Sequence, residues 1–366
     1  MIFLIIGILT GGGDCAGMNS AIRGATFKAE ELGHQLFGIK WGWKGLIEYE
    51  IMPLNAKIVE GIGERAGTIL GTTRTNPFKD EGGKDRSTDV MHNLRIHEYD
   101  ALIAIGGEDT LSVAYKIDDL GFPVVGIPKT MDRDLQKYSL GSDTANNKVK
   151  NFIASLPTTA SSHGRVLVVE VFGRDTGHVA FQAGVAGMAD VILIPEIPYD
   201  INEVCKNVKN AYEKRKKEGL NPYAIVVVAE GAISIEDKQP TYISDKTDEF
   251  GHKKLGGIST KIANQIKQKL GYETAPVLPS YTTRSGETMF FDAFTGERLG
   301  RAAVYVTDQK KHGVAVVDVK GNNIKVMPIK DFIIQKTVDV DEIALYENRI
   351  SFGRPSQDYK PNIDTI

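Results

Sequence analysis

Short, almost wholly apolar runs alternate along this chain with longer segments of mixed polarity. Such runs predict strands that are buried on both faces of a sheet. They lie at residues 1–9, 101–105, 124–127, 166–171, 191–194 and 224–229. Between them, helix-like apolar spacing predicts helices at residues 20–32, 143–155 and 201–218. This alternation is typical of α/β domains, in which parallel sheets carry helices on both faces.

The pattern changes in the last third of the chain. From Ala302 onward it predicts short strands of alternating polarity, and residues 314–319 and 323–327 would pair as a hairpin through Lys320-Gly321-Asn322. Residues 236–254 are polar and charged, and we interpret them as a solvated excursion. No segment has the composition of a flexible linker.

Length and composition narrow the class of protein. A chain of 366 residues can form two domains, and its net charge of −3 gives no support for nucleic acid or a membrane as the main partner. The apolar start lacks a basic leader and is too short to span a bilayer, so we interpret it as a buried strand. Cys15 and Cys205 are the only cysteines, which excludes a disulfide framework and favours a cytoplasmic protein.

Three polar segments follow predicted strands. The first, residues 10–19, is rich in glycine and precedes a helix, where backbone amides and the helix dipole favour an anion. It has neither the Walker lysine nor the dinucleotide-binding glycine spacing, and a glycine-rich turn can also serve tight packing alone. The second, residues 106–110, places two carboxylates after two glycines. Carboxylates beside phosphates indicate a bridging divalent cation.

The third segment, residues 128–134, adds two aspartates and two cations. In an extended segment Asp132 and Asp134 would point the same way, so one could deprotonate an acceptor hydroxyl while the other orients it. Lys129 and Arg133 can neutralise the charge on a moving phosphoryl group. The two strands that end in these residues therefore predict a phosphoryl-transfer enzyme.

Taken together, the motifs resemble family A phosphofructokinases. Those that carry the resemblance run in family order over about residues 1–300: Gly11-Gly12-Gly13-Asp14, Gly106-Gly107-Glu108-Asp109, Pro128-Lys129-Thr130-Met131-Asp132-Arg133-Asp134, Ser161-Ser162-His163-Gly164-Arg165, Glu170-Val171-Phe172-Gly173-Arg174 and Ala229-Glu230-Gly231. The resemblance implies two Rossmann-like three-layer α/β/α domains with the catalytic cleft between them. The donor domain would take residues 1–138 plus about 285–340, the sugar domain 139–284, and a C-terminal extension 341–366.

The resemblance also implies roles for single residues. Gly13 and Arg74 would hold the donor phosphates, Glu108 would bind Mg²⁺, and Asp132 would take the proton of the acceptor. Further substrate contacts would come from Thr130, Asp134, Arg165, Phe172, Gly173, Arg174, Glu230, Tyr281 and Arg284. Because Arg165 would reach into a neighbouring subunit, we expect a homodimer or homotetramer with shared active sites.

Asp109 bears on the choice of donor. ATP-using members of the family have glycine there, which leaves room for the α-phosphate of the nucleotide. Asp109 adds volume and negative charge at that point, while Lys129 supplies a cation suited to a short, highly charged donor. The pair resembles the pyrophosphate-dependent branch, so we expect reversible phosphoryl transfer from pyrophosphate to the 1-hydroxyl of fructose 6-phosphate. Candidate catalytic residues are Asp132, Lys129, Asp109 and Arg174.

Departures from the family pattern leave the acceptor open. Ala275 stands where the family has an arginine, Arg284 comes one residue later than expected, and Phe172 replaces a methionine. Losing a charge-assisted hydrogen bond to a phosphate costs about 1.5–3 kcal/mol. The alternatives are therefore ATP as donor, or another sugar, sedoheptulose 7-phosphate or a polyol as acceptor. An NAD kinase or lipid kinase and a non-enzymatic sugar-phosphate sensor are rival readings.

Overall fold

The computed structural model describes residues 3–79, 82–135 and 139–355. These residues form two compact units. Unit 1 takes its described residues from Met1–Ala145, Thr247–His252 and Arg284–Gln335, and unit 2 from Asn146–Lys246, Lys253–Thr283 and Lys336–Ile366. The domain bounds expected from the sequence stay a prediction.

Strands and helices are numbered in chain order. The strands are β1 (Ile5–Thr10), β2 (Gln35–Ile39), β3 (Ile51–Leu54), β4 (Ala101–Gly106), β5 (Val124–Pro128), β6 (Val166–Val171), β7 (Val191–Leu193), β8 (Ala224–Ala229), β9 (Tyr242–Thr247), β10 (Lys253–Leu255), β11 (Thr274–Val277), β12 (Val314–Lys320) and β13 (Asn323–Pro328). The helices are α1 (Met18–Leu32), α2 (Trp43–Glu48), α3 (Ala56–Val59), α4 (Ser87–Ile96), α5 (Glu108–Asp119), α6 (Ser142–His163), α7 (His178–Ala186), α8 (Ile201–Lys217), α9 (Ile258–Leu270), α10 (Phe290–Asp308), α11 (Ile329–Phe332) and α12 (Val340–Ala344).

Unit 1 is built on a seven-stranded sheet in the order β13-β12-β5-β4-β1-β2-β3. Its five central strands are parallel, and the two edge strands run antiparallel to their neighbours. The pairing of β12 with β13 confirms the hairpin. Helices α1 and α10 contribute to the apolar cluster on one face of the sheet, and α2, α4 and α5 contribute to the cluster on the other. The unit therefore has three layers.

Helices α1 and α10 approach each other backbone to backbone. A Cβ atom at Gly24 would lie 2.2 Å from the carbonyl oxygen of Glu297, and one at Gly300 would lie 2.0 Å from that of Ala21. Only glycine leaves room for this packing. The strand pattern expected from Ala302 is wrong as far as Asp308, because these small residues extend a helix that packs closely on α1.

Unit 2 contains a four-stranded parallel sheet in the order β11-β6-β8-β7. Its two faces are covered by separate apolar clusters. Helices α6, α7 and α12 contribute to one, and α8 and α9 contribute to the other. The predicted α/β fold of three-layer units is confirmed, and β6 and β8 have the predicted bounds.

The polar stretch at residues 236–254 is more ordered than its composition predicts. Strands β9 and β10 pair as a two-stranded sheet, and Phe250 between them packs against the apolar cluster of unit 1 that contains α5. No described side chain of this stretch is fully buried, which agrees with its interpretation as a solvated excursion. Among the described residues, no helix has both the length and the apolar character needed to cross a bilayer.

Candidate active site

The first two glycine-rich segments meet at the carboxyl ends of β1 and β4. The amide of Gly11 donates to the carbonyl oxygen of Ile105 at 3.0 Å. The side chain of Thr110 packs between the segments so closely that a Cβ at Gly11 would lie 2.5 Å from its hydroxyl oxygen, and one at Gly106 2.2 Å from its Cβ. These glycines are thus required for the approach of two loops, as well as for any approach of a phosphate.

Glu108 and Asp109 lie on a helix instead of an open loop. They form the first turn of α5, which begins directly after Gly107. Carboxylates at a helix N-terminus are stabilised by the helix dipole. Glu108 is exposed and Asp109 half-buried, so the first of them is accessible to a hydrated cation.

Lys129, at the end of β5, connects the third segment to the first. Its side chain is buried, with a residue exposure of 6%, and its Nζ donates to the carbonyl oxygen of Gly13 at 2.5 Å. A Cβ at Gly12 would lie 3.4 Å from the same Nζ. Burial lowers the pKa of Lys129, while the neighbouring Cys15 and Asp134 oppose the shift. The structure therefore places this ammonium at the glycine loop, where the sequence predicts the donor.

Arg284 also lies at the glycine loop. Its Nε is 3.3 Å from a carboxylate oxygen of Asp14, and its Nη1 is 3.0 Å from the position that a Cβ of Gly13 would take. We predicted Arg284 as a substrate-binding residue, and the structure brings it to the first donor loop of unit 1. Its role in binding substrate stays a prediction.

Asp132 and Asp134 do not lie on an extended segment. Asp132 is part of a turn, and Arg133 has a left-handed backbone with φ of 57°. The expected alternation of the two aspartates is therefore wrong. The amide of Asp132 donates to the hydroxyl of Thr130 at 3.2 Å, and one carboxylate oxygen of each aspartate is buried.

Arg74 lines a cavity of about 930 Å³ in unit 1. Its Nη1 lies 2.6 Å from a carboxylate oxygen of Asp248. From the same turn, the Nε2 of His252 lies 3.4 Å from Asp109. Sequence reasoning missed both residues. The sequence does offer one signal: Phe250 and Gly251 lie together within a charged stretch. An aromatic residue beside a glycine is typical of a turn that packs on an apolar core.

Of the predicted sugar-site residues of unit 2, Phe172, Gly173 and Arg174 follow the carboxyl end of β6, and Glu230 follows that of β8. The Arg174 guanidinium donates to the carbonyl oxygen of Lys253 at 3.0 Å. The rings of Phe172 and Tyr281 are 6.1 Å apart at 46°. The structure thus brings these two aromatic residues together, as a shared substrate contact requires.

Two other positions in unit 2 bear on the acceptor. Arg165, expected to serve a neighbouring subunit, forms an ion pair of 2.6 Å with Glu273. Ala275, where the family has an arginine, lies in β11 opposite Leu167 and packs against an apolar cluster of the unit. An apolar side chain, Ala275, therefore packs where the resemblance predicts a cation.

Glu108 is the residue of this site whose chemistry fits a magnesium ion. Among the described parts of the chain, no three His, Cys, Asp or Glu side chains come together as a metal site. Mg²⁺ commonly takes one or two carboxylates and completes its shell with water and substrate phosphates. An exposed carboxylate at Glu108, beside a glycine-rich loop, fits that mode of binding.

Comparison with known proteins shows which family the chain resembles over most of its length. The profile of the family described as Phosphofructokinase matches residues 5–307. A pyrophosphate–fructose 6-phosphate 1-phosphotransferase of Dictyoglomus thermophilum is 42% identical over 355 residues, covering 95% of this chain and 98% of the relative. An ATP-dependent 6-phosphofructokinase 3 of Streptomyces coelicolor is 36% identical, covering 90% and 94%.

The solved structures show the same fold. A pyrophosphate-dependent phosphofructokinase from Nitrosospira multiformis superposes with a TM-score of 0.78 at 19% identity, over 99% of this chain and 94% of that one. The prediction of a phosphotransferase is confirmed by these findings. The chain belongs to the phosphofructokinase family.

Proposed function

We propose that this enzyme transfers a phosphoryl group from pyrophosphate to the 1-hydroxyl of fructose 6-phosphate, reversibly and with magnesium, in the cytoplasm. One observation carries the choice of donor. The buried ammonium of Lys129 reaches the glycine loop at Gly13, and Asp109 directly precedes Thr110, which packs on Gly11 of the same loop. A cation at this loop and an added carboxylate on the residue next to Thr110 favour a short, highly charged donor over a nucleotide.

The relatives support this choice. The pyrophosphate-dependent relative from Dictyoglomus thermophilum is more similar to this chain than the ATP-dependent one from Streptomyces coelicolor, at 42% against 36% identity. Since both donors occur among close relatives, the residues at the loop decide between them. We assign donor binding to unit 1 and most of the sugar-binding residues to unit 2.

The proposed mechanism uses six side chains. Asp132 accepts the proton of the attacking hydroxyl, with Thr130 fixing the turn that carries it. Lys129 and Arg174 stabilise the charge on the phosphoryl group, and Asp109 limits the donor to two phosphates. Glu108 would hold Mg²⁺, which supplies a Lewis acid for the phosphate oxygens when it is bound.

The acceptor assignment rests on Glu230, Phe172 and Tyr281, which lie at or near the ends of β6 and β8, together with Arg165 and Arg284 as phosphate-binding cations. Arg165 would complete the site of a second subunit in a homodimer or homotetramer. Because Ala275 lacks a cation, sedoheptulose 7-phosphate, an unphosphorylated sugar or a polyol remains the alternative acceptor.

A panel of donors and acceptors tests the proposal. Purified enzyme with magnesium is assayed with pyrophosphate or ATP against fructose 6-phosphate, sedoheptulose 7-phosphate and unphosphorylated sugars and polyols. We expect fructose 1,6-bisphosphate and phosphate from pyrophosphate, and pyrophosphate from the reverse reaction. Faster turnover with ATP would overturn the donor, and reaction with uncharged acceptors alone would overturn the acceptor.

A further inference from the structure

One short segment of the chain joins unit 1 from within the sequence of unit 2. Unit 2 ends at Lys246 and resumes at Lys253, and the residues between them belong to unit 1. We call residues 248–252 the acidic turn. Its sequence is Asp248-Glu249-Phe250-Gly251-His252, and nothing in the family motifs described above includes it.

The acidic turn is held rigidly. One carboxylate oxygen of Asp248 accepts from the amides of Phe250 at 3.1 Å and His252 at 2.9 Å. The amide of Gly251 donates to the carbonyl oxygen of Asp248 at 2.9 Å. The Phe250 ring packs against an apolar cluster of unit 1. The backbone of the acidic turn therefore holds Asp248 in place, independently of any contact with another side chain.

The acidic turn makes three contacts at or near the residues predicted to bind the phosphate donor. The second carboxylate oxygen of Asp248 lies 2.6 Å from Nη1 of Arg74. Glu249 accepts from the amide of Asn76 at 2.8 Å, which fixes the backbone two residues beyond Arg74. His252 lies 3.4 Å from Asp109. The turn thus supports the position and the orientation of the predicted donor arginine.

Charge explains why the contact with Arg74 is firm. Burial would raise the pKa of Asp248, but the amide of His252 and the guanidinium of Arg74 outweigh it and lower the pKa overall. Asp248 is thus ionised at neutral pH. Arg74 is a flexible side chain with 51% exposure, and its guanidinium carries five donors. A carboxylate bound to one edge of the guanidinium orients it, while the remaining N–H groups can reach a phosphate.

We propose that Asp248 is a positioning residue for the phosphate donor, holding Arg74 in the orientation that binds pyrophosphate. The inference rests on the proposed function, because the role of Arg74 in donor binding comes from it. Asp248 contacts the arginine and no reacting atom. It should therefore affect the affinity for the donor and leave the affinity for the acceptor unchanged.

The test compares Asp248→Asn with the wild-type enzyme. The substitution keeps the shape of the side chain and removes its charge, so we expect the KM for pyrophosphate and its Kd by calorimetry to rise about tenfold. The KM for fructose 6-phosphate should stay within about twofold, and Asp248→Glu should recover part of the loss. The matched control is Asp237→Asn, which removes an ion pair with Lys261 elsewhere in the same stretch.

The outcomes are distinguishable. A wild-type enzyme without pyrophosphate turnover overturns the proposed function and the inference with it. An active wild type, with an Asp248→Asn KM for pyrophosphate that is unchanged or lower, overturns the inference alone. Equal increases in both KM values, or an equal effect of Asp237→Asn, would mean a general loss of structure, which also overturns it. Thermal unfolding of each variant shows whether the fold is retained.

Discussion

The Nζ of Lys129 donates a hydrogen bond to the carbonyl oxygen of Gly13 across the end of an intervening strand. Lys129 follows β5, Gly13 follows β1, and β4 lies between these two strands in the sheet. One buried cation thereby connects the first and third polar segments, and the second segment follows the strand between them. The donor-side residues of unit 1 form one connected group at the carboxyl edge of the sheet.

Replacing Lys129 with methionine should weaken the reaction with pyrophosphate. The variant loses a charge-assisted contact worth about 1.5–3 kcal/mol, so we expect kcat/KM for pyrophosphate to fall about 10- to 100-fold. Steady-state kinetics measure the effect. Lys57→Met, at an exposed position on α3, is the control and should change little. A Lys129 variant with unchanged kcat/KM would remove this residue from the donor site.

Replacing Asp109 with glycine should shift the donor preference toward ATP. The change removes a side chain and a negative charge beside the donor, so the ratio of kcat/KM values for ATP and pyrophosphate should rise at least about tenfold. Both donors are assayed with the same acceptor. Glu98→Gln, at a surface site with no role in the proposal, is the control. An unchanged ratio would show that Asp109 does not select the donor.

Asp132→Asn should abolish most turnover while the protein stays folded. A missing general base typically costs about 100- to 10,000-fold in kcat. The measurements are kcat with pyrophosphate and the thermal unfolding midpoint. Asp119→Asn, at an exposed position near the end of α5, should keep full activity. Near-normal kcat in the Asp132 variant would assign the proton transfer elsewhere.

Cys15 should resist alkylation in the folded enzyme. Burial raises the pKa of its thiol, and Lys129 opposes the shift only in part, so the reactive thiolate is scarce at pH 8. Burial also raises the pKa of Cys205. Mass spectrometry after iodoacetamide treatment should find neither cysteine modified in native protein and both modified in urea. Because the unfolded chain ionises these thiols at lower pH, they make the folded state less stable as pH rises above about 8.5. Rapid labelling of Cys15 in native protein would contradict its burial.

Gly300→Ala should destabilise the protein, although alanine is the better helix former by about 1 kcal/mol. The added methyl group would overlap the carbonyl oxygen of Ala21 and force α1 and α10 apart. We expect a loss of about 1–3 kcal/mol in the free energy of unfolding. Urea denaturation measures it, and a gain in stability would show that the helices can separate without cost.

The sequence predicts the strands of both sheets well where they are buried on two faces. The run of β8 has no polar residue and that of β6 has only Glu170, so their bounds follow directly. The edge strand β11 escaped notice because Ala275 and Pro276 interrupt its pattern. The end of helix α10, from Ala302 to Asp308, was predicted as strand because local pattern does not show that a helix packs on a distant partner.

The chemistry of the site is carried by short motifs, which place Lys129 directly after β5 and Asp109 in the first turn of α5, shortly after β4. What the motifs miss are contacts made by residues far apart in the sequence. The ion pairs Asp248–Arg74 and Asp14–Arg284 form only because the fold brings these distant residues together. The left-handed backbone of Arg133 is likewise imposed by the surrounding structure, since nothing in its residue type requires it.

The glycine contacts between α1 and α10 have an evolutionary consequence. Helix α1 follows the first phosphate loop, and α10 follows the segment that carries Arg284, while most of the intervening sequence builds other elements. Because glycines let these two helices pack closely, insertions and deletions in the sequence between them would leave the glycine loop and Arg284 in place. The segments between the two helices could thus change during evolution while the glycine loop and Arg284 keep their relative position.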